Sequence, residues 1–131
     1  MTPRSRGAED GGVMSISLAL AFPLVLMVVL LVVQGSLWWY DRQIALSAAR
    51  EGSESARSFQ SDPTAGSDAA NSFLDRVGGG LTDRDVTVTT SDTTVVVTVS
   101  VEAPSLLLGL DGIRITQTIT APVERFVPAP Q

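Results

Sequence analysis

The carboxylates Asp83, Asp85 and Asp92 lie close together in sequence, with Arg84 between the first two. Paired carboxylates can hold a calcium ion or work as acid and base. A calcium loop also needs regularly spaced ligands, a glycine at the sharp bend and a late bidentate acid. The stretch DRDVTVTTSD has none of these, so its aspartates read as solvated strand-end and turn residues. Gly78-Gly79-Gly80 is followed by Leu81-Thr82 rather than Lys-Ser or Lys-Thr, which excludes a phosphate-binding P-loop. Serines are plentiful, but the chain has no histidine to activate one and no G-x-S-x-G turn. It also has no cysteine. The commonest base near neutral pH, thiol chemistry and the commonest zinc, copper and iron ligands are therefore missing together. All nine basic residues are arginine, so no lysine is present to form a Schiff base. The sequence predicts no enzyme, no cofactor and no metal site.

The charge pattern excludes another class. From Asp41 to Gln131 there are seven arginines and twelve acidic residues, with no basic cluster. Nucleic-acid binding depends on clustered cations that neutralise phosphates, so no nucleic-acid partner is expected. An acidic, polar region of this kind suits an aqueous setting outside a membrane.

The elements account for the rest. Val13 to Tyr40 contains no charged residue. About 20 apolar residues in a helix cross a hydrocarbon core, so this run is long enough to span a bilayer and have membrane lipid as its partner. Trp38, Trp39 and Tyr40 at its far end are interface aromatics, amphipathic rings that favour the headgroup level. Pro23 removes one backbone donor within the span and is expected to kink it. Ala19-Leu20-Ala21 has the form of a signal-peptidase site, but the apolar run before it is short and the run after it long, which favours an uncleaved anchor there. Arg4 and Arg6 on one flank nearly balance Arg42, Arg50 and Arg57 on the other, so charge alone does not orient the helix.

Past Tyr40 the helical pattern continues to about residue 60. Ile44, Ala45, Ala48, Ala49, Gly52, Ala56 and Phe59 recur along one face, and Asp41, Arg42, Arg50, Glu51, Glu54 and Arg57 fill most of the remainder. Ala45, Ala49, Gly52 and Ala56 form a small-residue strip for close helix–helix packing, against a partner or against the chain's own sheet. Gln60 to Ser67 reads as a loop, with Ser67 as cap of a short helix over DAANSFLDRV that ends at Gly78-Gly79-Gly80. Three stretches then alternate with period two: DVTVTT, TVVVTVSVE and IRITQTITA. The predicted fold is α+β: a long transmembrane helix running into a small domain with one short helix and a three-stranded antiparallel sheet. The expected divisions are a leader at 1–12, the membrane helix at 13–40, its extension at 41–60, an extracytoplasmic domain at 61–126 and a disordered tail at 127–131.

This layout resembles the TadE-like proteins, pilin-like components of tight-adherence (Tad, Flp-type) pilus systems, in their actinobacterial form. The resemblance rests on Gly12 before the apolar run, on Phe22-Pro23, and on GSLWWYDRQIALSAAREGSESAR, in which Gln43, Ala45, Leu46, Ala48, Ala49, Arg50, Glu51, Gly52 and Arg57 fit the family's pattern. Pro122 to Phe126 (PVERF) is similar to the same group. The resemblance implies a pilin-like fold and a cytoplasmic N-terminus. It also implies cleavage by a prepilin peptidase at the Gly12–Val13 bond. The partners it implies are other pilin-like subunits and an inner-membrane platform, met through helix packing and protein contacts. Pilin-type substrates usually carry Glu at the fifth mature position, where this chain has Ser17. The alternative from the residues alone is a single-pass anchored extracytoplasmic binding domain unrelated to pili.

Overall fold

The computed structural model describes the backbone of residues 9–58, 62–106 and 112–123, and side chains within those ranges from Ile16 onward. The element order is α1 (Glu9–Arg57), α2 (Pro63–Val77), β1 (Thr82–Thr90), β2 (Thr94–Ala103) and β3 (Ile113–Pro122). The α+β class and the three-stranded antiparallel sheet are as the sequence predicts. Helix α1 begins at Glu9, ahead of the expected start at Val13, and runs through Pro23. Phe59, the leader up to residue 8 and the tail at 127–131 lie outside the described residues.

The chain divides into two compact units, Met1–Gly35 and Ser36–Gln131. In the first, the side chains of Ile16 to Val33 are exposed along all faces of the helix. Apolar side chains exposed on every side are what a helix surrounded by lipid presents. It is one helix near the N-terminus that is long and apolar enough to cross a membrane.

In the second unit, two helices cover one face of a β1-β2-β3 meander. The core is the alternating valine row of the middle strand: Val95, Val97, Val99 and Val101 are fully buried. Burying each contributes about 1.5–3 kcal/mol. Ile44, Ala45, Ala48, Ala49 and Ala56 of α1 and Ala70 and Leu74 of α2 complete this core. The opposite face is a grid of hydroxyls. Thr87, Thr98 and Thr118 share one rung, and Asp85, Ser100 and Thr116 the next. Thr98 and Thr118 hydroxyls lie 3.1 Å apart, as do those of Ser100 and Thr116, so cross-strand hydrogen bonds tie the polar face together.

Helix α2 starts earlier than the sequence reading places it. Its N-cap is Asp62, not Ser67; the Asp62 carboxylate accepts the Thr64 N–H at 2.6 Å, and Pro63 occupies the first helical position. An acidic cap followed by proline is a strong helix start, because proline's missing N–H is one that no helix would have bonded anyway. Ser67 is therefore inside the helix, and its hydroxyl donates back to the Thr64 carbonyl at 2.9 Å. Thr64, by its side chain first and its main chain second, holds the Asp62 carboxyl below the ordinary aspartate value.

Arg84 locks the other end of α2 to the sheet. Its guanidinium donates to the Gly78 carbonyl at 2.7 Å, to the Leu81 carbonyl at 3.2 Å and to the Asp75 carboxylate at 2.9 Å. The Gly78 carbonyl stands at the C-cap of α2, at the negative end of its dipole, so a cation that reaches it stabilises the end of the helix, while the bond to Leu81 ties in the connection before β1.

Candidate functional site

The small-residue strip has a definite place. Ala45 and Ala49 are fully buried and Ala56 nearly so. A Cβ placed on Gly52 would lie 2.8 Å from the Gly66 carbonyl oxygen, 3.1 Å from Ala70 Cβ and 3.3 Å from Val97 Cγ1. The relation is reciprocal, since a Cβ on Gly66 would lie 2.8 Å from the Gly52 carbonyl oxygen and 2.7 Å from Ala56 Cβ. Two small-x-x-x-small pairs, Gly52/Ala56 on α1 and Gly66/Ala70 on α2, thus meet where the helices touch. Small residues four apart lie on one helix face and let two backbones come closer than larger side chains allow. The strip packs on α2 and on β2 within this chain. Gly66 is the member the sequence reading missed, because QSDPTAGS read as a loop. Its signal was the Asp62-Pro63 start, which makes Gly66 and Ala70 an i, i+4 pair.

The boundary aromatics differ from one another. Trp39 and Tyr40 are 66% and 53% exposed, while Trp38 is half-buried and packs against the core. The Trp38 indole N–H is buried and has no hydrogen-bond partner among the described residues. Asp41, read from sequence as part of the polar side, is only 8% exposed. It stands four residues before Ala45 and seven before Ala48, so helical periodicity assigns it to the buried face despite its charge. Desolvation pushes its carboxyl above the ordinary aspartate value.

Gly12 and Val13 lie within the first two turns of α1. The aspartates considered for chemistry are dispersed. Asp83 has a left-handed backbone, φ 44°, and its carboxylate accepts from Arg114 across the sheet. Asp85 stands on the outer face beside Ser100, and Asp92 lies in the β1–β2 turn. Among the described residues, no three His, Cys, Asp or Glu side chains are grouped to hold a metal ion.

No curated protein and no solved structure matches this chain. The family comparison does find a match, and it falls on the apolar run, the boundary aromatics and the packing strip as far as Glu54: over residues 12–54 the chain is similar to the TadE-like protein family.

Proposed function

We propose that this chain is a membrane-anchored, pilin-like assembly subunit of a tight-adherence pilus or a related secretion machine, of the actinobacterial form. The observation that carries the reading is the TadE-like match over residues 12–54, which takes in most of the helix that is long and apolar enough to span a membrane. In this reading the N-terminus is cytoplasmic and the chain beyond the boundary aromatics, from Asp41 onward, lies outside the membrane. A prepilin peptidase cuts the Gly12–Val13 bond. The subunit works without catalysis, by contacts with other pilin-like subunits and the inner-membrane platform. Ser17 fits an anchor, because a serine hydroxyl within a membrane helix bonds back to a helical carbonyl at little cost.

The test is mass spectrometry of the N-terminus of the membrane-extracted protein. A chain starting at Val13 is expected, and Gly12→Ala is expected to accumulate as uncut precursor. A membrane protein still starting at Met1 or Thr2, with Gly12→Ala unchanged in size, overturns the processing step. Co-purification with a platform protein tests the assembly role separately.

A further inference from the structure

Among the described residues, the sheet has two edges that no strand covers, and the two complement each other. The Val123 N–H donates to the Thr93 carbonyl at 3.0 Å, which fixes the phase of the β2–β3 ladder. Bonded and non-bonded pairs alternate along an antiparallel ladder. The odd-numbered β3 residues therefore bond to β2, and the main-chain groups of Arg114, Thr116, Thr118 and Thr120 point outward, where the Thr116 carbonyl accepts from the Gln117 side-chain amide at 2.7 Å. Pro122, in the same even series, has no N–H to lose from the ladder, and edge positions are where strands tolerate proline. At the other edge, the Ser91 N–H donates to the Thr94 carbonyl at 2.8 Å, so Val86, Val88 and Thr90 of β1 point their main-chain groups outward. Among the described residues, no strand pairs with either edge.

The inner faces of the same two strands are incompletely covered. The valines of β2 are fully buried, but Val86 and Val88 of β1 and Ile115 and Ile119 of β3 are only half-buried. A groove of about 300 Å³ runs beside Val86 and Val88 under the first turn of α2. Another of about 170 Å³ runs beside Ile119 and Ala121 under Arg50 and Arg57 of α1.

We infer that this chain associates head to tail with a second copy of itself, β3 of one copy pairing in parallel with β1 of the next. β1 and β3 are both antiparallel to β2, hence parallel to each other, so a copy placed alongside in the same orientation presents β1 in the right sense. The register is also met. Thr87, Thr98 and Thr118 share a rung, so in the extended sheet Thr118 lies beside Thr87 of the second copy and bonds to the main chain of its Val86 and Val88. Those are the groups that β1 turns outward. The same register continues the outer hydroxyl rungs and brings the half-buried inner residues of the two strands together. Charge agrees: Arg114 at the start of β3 already pairs with Asp83 of its own chain and arrives beside the Asp83 and Asp85 carboxylates of the second copy, so the contact extends an existing ion pair, whereas β3 holds no acidic residue to receive it in a β3–β3 pair. A contact between two different edges is heterologous, so it extends into a ring or a filament rather than stopping at a dimer. The inference does not depend on the pilus reading, because it concerns only the sheet.

Disulfide trapping on the full chain in mild detergent tests it, since the native sequence has no cysteine. Thr87 and Thr118 of one copy are two strands apart, roughly 10 Å at the usual spacing. That exceeds the ~7 Å Cα limit for a disulfide, so a bridge in the double variant joins two copies. Oxidised Thr87→Cys/Thr118→Cys is expected to give a ladder of oligomers, and an equal mixture of the two single variants a dimer. Thr98→Cys, on the central strand, measures random collision. Thr120→Pro in the double-cysteine background removes an outward N–H and is expected to bring the ladder to background with the circular dichroism unchanged. Arg114→Glu, which also removes the ion pair with Asp83 of its own chain, is expected to weaken it about tenfold by like-charge juxtaposition with the circular dichroism unchanged, and Asp85→Arg to restore it. Cross-linking no faster than Thr98→Cys overturns the inference. Dimerisation of Thr118→Cys alone as fast as the mixture also overturns it, in favour of a two-fold β3–β3 contact.

Discussion

Replacing Gly66 by alanine tests the helix contact that holds α1 against α2. The added methyl would lie 2.7 Å from Ala56 Cβ and 2.8 Å from the Gly52 carbonyl oxygen. Neither obstacle can rotate away, because one is backbone and the other is fixed to it, so the helices must separate by several tenths of an ångström. Overpacking of this kind costs about 1–3 kcal/mol. Alanine's better helix propensity offsets up to about 1 kcal/mol of that, leaving a net loss of about 1–2 kcal/mol. For a domain of this size each kcal/mol lowers the melting temperature by about 4–8 °C, so Gly66→Ala is expected to melt about 5–15 °C lower. Thermal melting of the full chain in mild detergent, followed by tryptophan fluorescence in a Trp39→Phe background that leaves Trp38 packed on the core as the reporter, reads the change directly. Gly52→Ala presses on the same gap from the other side, so the double variant is expected to lose less than the sum of the two. Gly79→Ala is the control, since a Cβ there meets nothing within 4 Å among the described residues. A Gly66→Ala protein as stable as the Gly79→Ala control refutes the close-approach reasoning.

Three further outcomes follow from the same structure. Ala49→Leu overfills a fully buried position and is expected to destabilise by about 1–3 kcal/mol; lost complex formation at unchanged melting temperature would instead make this face an external docking surface. Arg84→Ala removes the clamp on the α2 C-terminus and is expected to destabilise by about 1–3 kcal/mol in urea titration, with Arg84→Lys a poor rescue because an ammonium lacks the planar fork that reaches both carbonyls. Asp41→Asn is expected to stabilise the protein at neutral pH. The folded carboxyl of Asp41 is raised above its ordinary value of 3.8. Below that value both folded and unfolded states hold the proton, and the variant gains nothing from removing the charge. As pH rises through the folded value, only the native aspartate bears the cost of ionising where it is desolvated. Urea midpoints at acid and neutral pH check this, and a stability difference that shrinks as pH rises contradicts it.

The sequence by itself determined the elements. An uncharged run of apolar residues has no stable place in water at that length, so Val13 to Tyr40 marks the membrane-compatible helix without any tertiary information. Period-two alternation in β-branched residues placed the three strands to within a few residues, since each strand's burial pattern is written in its own side chains. Local chemistry could also mislead, because Ser67 and Asp62 are both competent caps, and only the helix formed shows that Asp62-Pro63 prevails. Tertiary structure decided what each face meets. Whether Ala45, Ala49, Gly52 and Ala56 pack on a partner or within the chain depends on where Gly66 and Ala70 lie, and no periodicity along one helix specifies its neighbour. The burial of Asp41, the attachment of Arg84 to two carbonyls and the placing of β1 and β3 at the edges of the sheet likewise follow from how segments distant in sequence are stacked. Packing depends on distances between elements, whereas the sequence pattern reports only spacing within them.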